Sequence, residues 1–235
     1  MTTFVGLLIE KSGKNKKVII TCSYDREFCK YYSNEAVCKI EELSDCIINL
    51  LSSAMRFFAD KYNGRTPGRF FIYRSGVSDA EKKNLFKEEI NSIERYLLSI
   101  NPNTQYIYTV VNKKNDIKFF ENEQGNLKNP SDGTVLDRDI ITYGCYEFYM
   151  QNQFVNQGCA TPTHYHVLRS TIAIPMEQYQ LLTFHMSYYY WNWPGPTRLP
   201  ACLKFAETYS KNLGNVNLSD KFMIKNKLRS KPFYV

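Results

Sequence analysis

The 235-residue sequence has no apolar run long enough to cross a membrane, and its first segment, MTTFVGLLIEK, is too short for a secretory signal. Its seven cysteines are odd in number and form no CxxC pair, so neither a disulfide framework nor a zinc site is indicated. No internal repeat, low-complexity tract or interdomain linker is found. These absences predict one globular intracellular domain, cytoplasmic or nuclear or both, with reduced thiols and no membrane partner.

The charge balance is basic. Thirty Lys and Arg against 23 Asp and Glu leave a net charge of +7. Such an excess favours a polyanionic partner such as nucleic acid, although a surface that is basic for solubility alone gives the same count.

Hydrophobic periodicity predicts a mixed α/β fold. Two apolar runs, Phe4–Ile9 and Lys17–Tyr24, form a predicted hairpin, and a short third strand follows near residue 31. Helical spacing or strand composition then gives helix 40–58, strand 69–75, helix 79–98 and strand 105–112. A meander followed by two crossover units predicts a mixed sheet flanked by helices, the order of ribonuclease-H-like domains.

The second half continues this pattern. A polar loop covers residues 121–132, and the remaining predicted elements are strands 133–141, 146–153 and 164–169 and helices 176–191 and 201–211. The aromatic rings of the first of these helices suit either a core or a base-stacking surface, and helical spacing beside a sheet favours the core.

We predict that the end of strand 69–75 is the functional centre of the molecule. The β-rich run RFFIYRS stops at Ser75-Gly76, and a helix with Ser78 as its N-cap and Glu81 three residues later begins at once. In open α/β sheets ligands bind beyond the carboxyl ends of the strands. We therefore expect any chemistry to depend on Ser75.

Several stretches resemble Argonaute and Piwi proteins. NPSDGTVLD at 129–137 is similar to the family's NPxxGTVVD, and TPTHYHVL at 161–168 is similar to its xPTHYxVL strand. YYWNWPG at 189–195 with RLPA at 198–201 resembles the YYNWPG…RVPAP run of the Piwi branch. YRSGV at 73–77 resembles YRDGV, and VNKK at 111–114 with the following FF resembles VxKRxxTRFF. The matches keep the family order from residue 4 to about residue 211.

This resemblance implies a PIWI domain, a ribonuclease-H-like fold that holds a guide RNA and its paired target. Active members bind two Mg²⁺ ions through Asp, Glu, Asp and His, and the ions stabilise the attacking and leaving oxygens of a phosphodiester. Hard cations beside a phosphate need anionic oxygen ligands.

The resemblance places the four metal-binding positions at Leu8, Glu42, Ser75 and Glu207, so that only Glu42 keeps the family's residue. We therefore expect no intact catalytic set, no bound metal and no slicing, with Mg²⁺ as a cofactor only if the site is rebuilt. Glu10, Asp137 and Asp139 are the carboxylates considered as compensation, and of these Glu10 shares the strand face of Leu8 but is expected towards one end of the strand.

The resemblance also implies RNA contacts. Lys113, Lys114 and Lys118 follow a strand end at basic positions of the family and are expected to contact phosphates, although solvated surface lysines are the alternative. Lys204 and Lys211 are expected near the guide's 5′ end. His164 and His166 share a strand face and could bind a metal, but without a third ligand a role in packing or in hydrogen bonding to RNA is favoured, and we include both among the expected RNA contacts.

The expected organisation is a PIWI domain over residues 1–212 and a basic tail, 213–235, that packs back on it. The expected partners are a small guide RNA, its complementary target RNA, silencing-effector proteins, and the MID and PAZ domains of a longer parent chain if this is not a stand-alone protein. The leading hypothesis is an inactive, RNA-binding PIWI domain that recruits partners in small-RNA-mediated silencing. The alternatives are a divergent Mg²⁺-dependent ribonuclease using Glu42, Glu207 and Glu10, and a module that binds tryptophan-containing peptides.

Overall fold

The structure is a computed structural model that describes residues 1–76, 89–142, 144–213 and 226–235. A 3₁₀ turn, Ile40–Glu42, precedes the first α-helix. The strands and α-helices of the described ranges are β1 (Thr2–Ser12), β2 (Asn15–Ser23), β3 (Tyr31–Cys38), α1 (Leu43–Lys61), β4 (Arg69–Ser75), α2 (Asn91–Ile100), β5 (Gln105–Asn112), β6 (Glu121–Glu123), β7 (Asn126–Lys128), β8 (Thr134–Leu136), β9 (Tyr146–Gln151), β10 (Thr163–Ser170), α3 (Met176–Met186), α4 (Ala201–Leu213) and α5 (Asn226–Arg229).

Eight strands form one mixed sheet in the order β3-β2-β1-β4-β5-β10-β9-β8. β4 pairs in parallel with both β1 and β5, and the other neighbours in this sheet are antiparallel. The predicted meander and crossover order is therefore confirmed, and the fold is the expected mixed sheet flanked by helices. The parallel pairing brings the carboxyl ends of β1, β4 and β5 to one edge of the sheet.

Strand alternation divides the core into two apolar layers. On β1, Val5 and Leu7 pack in the layer that contains α1 and α2, whereas Phe4 and Leu8 pack in the layer that contains residues of α3 and α4. The second layer is rich in rings, and Tyr73, Tyr165, Tyr179 and Phe205 are each buried there. Successive side chains at the end of β1 therefore point alternately into one apolar layer and into the other.

Three predicted elements have clearly different limits. The expected strand 133–141 is a strand only over Thr134–Leu136. The expected polar loop 121–132 contains the hairpin of β6 and β7, closed by Gln124 and Gly125, which both have positive φ as a two-residue turn requires. The expected helix 176–191 ends at Met186, because the carbonyl oxygen of Ser187 accepts from the backbone N–H and hydroxyl of Thr197, at 2.9 and 3.0 Å, instead of from a further helical turn. The predicted N-cap Ser78 and Glu81 lie outside the described residues.

The aromatic run after α3 is less buried than its predicted helical spacing implied. Tyr179 and Tyr190 are core residues, whereas the exposed rings are Tyr188, Tyr189, Trp191 and Trp193. Because the helix ends at Met186, the later rings do not share its inward face.

The carboxyl-terminal residues contact the second layer. Tyr234 is buried, its hydroxyl lies 2.7 Å from Ser33 Oγ, and the hydroxyl of Tyr24 donates to the carbonyl of Ser230 at 2.9 Å. The last residues therefore lie against β3 and the end of β2, while the proposed domain boundary at residue 212 stays a prediction.

Gly6 allows α4 to press directly on β1. A Cβ atom built at Gly6 would lie 2.4 Å from the carbonyl oxygen of Cys202, which is backbone and cannot turn away. The hydroxyl of Thr21, on β2, donates to the same carbonyl at 2.6 Å. These two contacts fix the start of α4 over the sheet and so fix where the rest of the helix lies.

We predict that Gly6→Ala destabilises the fold by about 3 kcal/mol, the upper part of the usual range for overpacking, because strand and helix backbones must separate. Gly68→Ala is the matched control, since an added Cβ there meets nothing within 4 Å, and its effect should stay within about 0.5 kcal/mol. Urea unfolding followed by circular dichroism measures both variants. Equal stability of the two variants would contradict the close contact.

Candidate functional site

A cleft of about 480 Å³ lies at the carboxyl ends of β1, β4 and β5. The strand ends supply one wall, and Leu199 and Leu203 with Glu207 supply the wall opposite. Three of the four positions expected from the sequence, Leu8, Ser75 and Glu207, line it together. The predicted importance of the strand end at Ser75 thus has a geometric basis.

The centre of the cleft is not acidic. Leu8 is buried and belongs to the apolar layer under α4, so an alkyl group occupies the position on β1. Ser75 Oγ accepts a hydrogen bond from the backbone N–H of Ile9 at 3.0 Å, which ties β4 to β1 at the site. Neither side chain carries charge.

Glu207 is the carboxylate that α4 directs into the cleft, and lysines surround it. Its Oε1 is paired with the Lys113 ammonium, and its Oε2 lies 3.9 Å from Lys204 Nζ. Burial lowers the pKa of Lys204, and the charge of Glu207 opposes that shift. The pairing of Lys113 with Glu207, 94 residues apart, was not predicted from the sequence.

Two further contacts hold this arrangement. Arg198 donates from its guanidinium to the carbonyl of Lys113, and burial lowers the pKa of that guanidinium. Glu10 also lines the cleft, and its carboxylate accepts from the hydroxyl of Ser210. The backbone at Lys113 is therefore anchored, while its side chain remains about one-third exposed, at 35%.

Glu42 is not brought into the cleft. It is exposed at the N-terminal end of α1, where its carboxylate accepts from the backbone N–H of Lys39 at 3.3 Å. Helix α1 packs in the first apolar layer, on the opposite face of the sheet from Glu207. The four expected positions therefore do not converge.

Some of the lysines expected to contact RNA lie close together, and others do not. Lys113 and Lys114 line the cleft, whereas Lys118 is exposed and contacts the hydroxyl of Thr161. Lys204 lies at the other side of Glu207, and Lys211 is exposed one to two turns further along α4. Their RNA contacts stay predictions.

His164 and His166 share a strand face as predicted, and both approach Glu147 on β9. The Oε2 atom of Glu147 lies 2.9 Å from His164 Nε2 and 3.7 Å from His166 Nδ1. His164 is buried and stacks on Tyr149 at a centroid distance of 4.3 Å. Burial raises the pKa of Glu147, but hydrogen bonds from Thr142 and His164 outweigh it and leave the pKa lowered. An RNA contact through either histidine stays a prediction.

A buried ionic network supports the strand end at Ser75. The Arg74 guanidinium donates to the carbonyls of Ser75 and Gly76 and to Glu89 Oε1, the last at 3.4 Å, and the Tyr108 hydroxyl also donates to Glu89. Both charged side chains are less than 10% exposed. The sequence motif around Ser75 did not reveal this network, because Glu89 and Tyr108 are distant along the chain.

We predict that Arg74→Met lowers the free energy of unfolding by about 3 kcal/mol, because it leaves the Glu89 carboxylate buried without its cation. Arg169→Met is the control: it breaks the half-exposed pair with Glu94 and should change stability by at most about 1 kcal/mol. Thermal and urea unfolding measure both. Similar small losses for the two variants would show that the buried network does not hold the strand end.

Comparison with known proteins identifies the fold family. A family model described as the Piwi domain matches residues 2–217. The chain belongs to the Piwi domain family. "Piwi-like protein Ago3" of Bombyx mori is 32% identical in an alignment 213 positions long, which covers 87% of this chain and 22% of that relative. "Protein piwi" of Drosophila melanogaster is 31% identical in an alignment 242 positions long, which covers 98% of this chain and 28% of that relative.

Solved structures agree with this Piwi domain assignment. Drosophila Piwi superposes with a TM-score of 0.83 at 27% identity, over all of this chain and 32% of that one. The C-terminal lobe of a budding yeast Argonaute gives 0.82 at 18% identity, which supports the fold alone. The Piwi domain described here spans about a quarter of the length of the curated relatives it matches.

The two Mg²⁺ ions implied by the family do not fit the residues of this Piwi domain. Two adjacent divalent cations need bridging carboxylates, whereas Leu8 offers none and the charge of Glu207 is already opposed by Lys113 and Lys204. Across the described ranges, no group of three or more His, Cys, Asp or Glu is placed to hold a metal ion.

Within the same ranges, no helix is both long and apolar enough to span a membrane.

Proposed function

We propose that this Piwi domain binds a guide RNA and its paired target in small-RNA-mediated silencing, without cutting the target. The observation that carries the proposal is the set of side chains at three of the family's metal-binding positions, which are Leu8, Ser75 and a lysine-paired Glu207 in the cleft. It would act by recruiting silencing-effector proteins, in the context of MID and PAZ domains when these belong to the same chain.

Basic residues around the cleft support RNA binding. Lys113 and Lys114 line it, Lys204 and Arg198 flank it, and the whole chain carries +7. A positively charged surface of this kind contacts phosphates without reading sequence, which suits a protein whose specificity comes from base pairing. The fold also matches a solved Kluyveromyces polysporus Argonaute with a guide RNA, at a TM-score of 0.80 and 18% identity.

The absence of cutting follows from electrostatics. Two-metal hydrolysis needs cations that stabilise both the attacking and the leaving oxygen. An alkyl group and a hydroxyl cannot compensate for the mutual repulsion of two such cations, and a carboxylate beside two ammonium groups is a poor ligand. The proposed role is therefore binding, with no catalytic residue assigned and no cofactor.

We predict that the chain binds a guide–target RNA duplex and leaves the target intact in Mg²⁺ or Mn²⁺. The measurement follows labelled target by gel electrophoresis, with binding recorded in the same samples. Glu42→Ala should change neither result, because Glu42 is exposed outside the cleft.

Two outcomes would contradict this account. Cleavage that disappears in Glu42→Ala or Glu207→Ala would favour the divergent Mg²⁺-dependent ribonuclease, with a site rebuilt around Glu42, Glu207 and Glu10. Failure to bind the duplex at any salt concentration would exclude the RNA-binding role itself.

A second candidate function, protein interaction, is favoured by a cavity of about 740 Å³ at the opposite edge of the sheet. Its walls include Tyr24, Tyr62 and Ile100, and Arg26 and Arg65 lie beside them. An aromatic and aliphatic wall with cations nearby suits an indole ring, which gains from both apolar burial and cation–π contact. This cavity would be the place for the tryptophan-containing peptides expected from the family resemblance.

We predict that a tryptophan-containing peptide binds there and that Ile100→Arg weakens its affinity at least about tenfold, because a charged side chain then enters the cavity. Leu127→Arg, on the exposed β6–β7 hairpin, is the control and should leave the affinity unchanged. Fluorescence anisotropy of labelled peptides, with tryptophan or alanine, measures both. Equal binding of the two peptides would exclude this function.

A further inference from the structure

We propose that Lys113 is the group of the cleft that meets an RNA backbone phosphate, and that Glu207 competes with the RNA for it. The inference rests on the proposed RNA-binding function and deepens it. In the free protein the ammonium of Lys113 is neutralised internally by Glu207. In the complex a phosphate oxygen takes the place of that carboxylate.

The geometry lets the Lys113 side chain move to a phosphate while Glu207 stays in place. The Lys113 side chain is 35% exposed, whereas the Glu207 side chain is 13% exposed and sits within α4. The carbonyl of Lys113 is held by Arg198, so the backbone stays in place while the side chain turns. A phosphate that enters the open cleft therefore meets the more exposed Lys113 side chain before it meets the Glu207 side chain.

Glu207 keeps one neighbouring positive charge when the Lys113 ammonium moves to a phosphate. Its second oxygen, Oε2, lies 3.9 Å from Lys204 Nζ on the preceding turn of α4. A mostly buried carboxylate without any cation would oppose the exchange strongly, but a remaining neighbour reduces that penalty. Lys204 thus makes the Lys113–Glu207 pair replaceable.

The exchange also has a functional consequence. An ammonium group neutralises one phosphate charge, as a bound cation does, but it does not supply a metal-bound water of lowered pKa. Lys113 would therefore hold the target backbone in the cleft without promoting attack on it.

The test measures RNA affinity of the whole chain by fluorescence anisotropy, using a labelled guide–target duplex at several KCl concentrations. Lys113→Met should weaken binding and reduce the slope of log affinity against log salt by about one, and Lys113→Arg should keep the slope. Glu207→Gln should tighten binding about two- to fivefold, because it releases a partly exposed ion pair.

The double variant decides the mechanism. In a Lys113→Met background, Glu207→Gln should no longer tighten binding, because no ammonium is left to release. Glu35→Gln is the matched control: it removes the same charge and frees Lys17 from a partly buried pair, 3.1 Å long, between β2 and β3, and neither residue lines the cleft. It should tighten binding less than Glu207→Gln does.

The possible outcomes distinguish a failure of this inference from a failure of the proposed RNA-binding function. If Glu207→Gln tightens binding equally in both backgrounds, or no more than Glu35→Gln, the competition is wrong and RNA binding stands. If the parent chain does not bind the duplex, both fail. Thermal unfolding of each variant confirms that the measured differences come from folded protein.

Discussion

The parallel pairing of β1, β4 and β5 is the constraint on which the rest of the molecule depends. It brings three strand ends to one edge, and strand alternation then directs Leu8, Ser75 and Lys113 to the same face. Helix α4 closes that face because Gly6 leaves room for its backbone. The cleft is consequently a product of the fold, and it persists whichever side chains occupy its positions.

What the side chains decide is the charge of the cleft. A pair of divalent cations can sit together only where several carboxylates compensate their repulsion. Here one carboxylate from α4 meets two lysines, so the charge of Glu207 is more than offset by its immediate neighbours. In the proposed function, the lack of metal binding and the affinity for phosphate thus follow from the same residues of the cleft, and together they would give a domain that holds RNA without hydrolysing it.

Local pattern predicted β4 and β5 well, because both are apolar runs with clear ends, but it missed the short strands β6 and β7 and continued β8 to residue 141. It failed where tertiary contacts decide: α3 ends at Met186 since Thr197 takes the Ser187 carbonyl, and no periodicity reports that bond. The positions of Leu8, Ser75 and Glu207 came from motif resemblance, and all three line one cleft, whereas Glu42 lies outside it. The pairing of Lys113 with Glu207 and the network around Glu89 could not be predicted, because each joins residues distant along the chain.

The most direct measurement of the central claim is a titration of the chain with Mn²⁺, followed by electron paramagnetic resonance of the free ion. The account predicts a free-ion signal that rises in proportion to the Mn²⁺ added, with and without a guide–target duplex once the duplex's own binding is subtracted. Two Mn²⁺ ions bound per chain, and lost in Glu207→Gln, would contradict it and restore the cleft as a metal site.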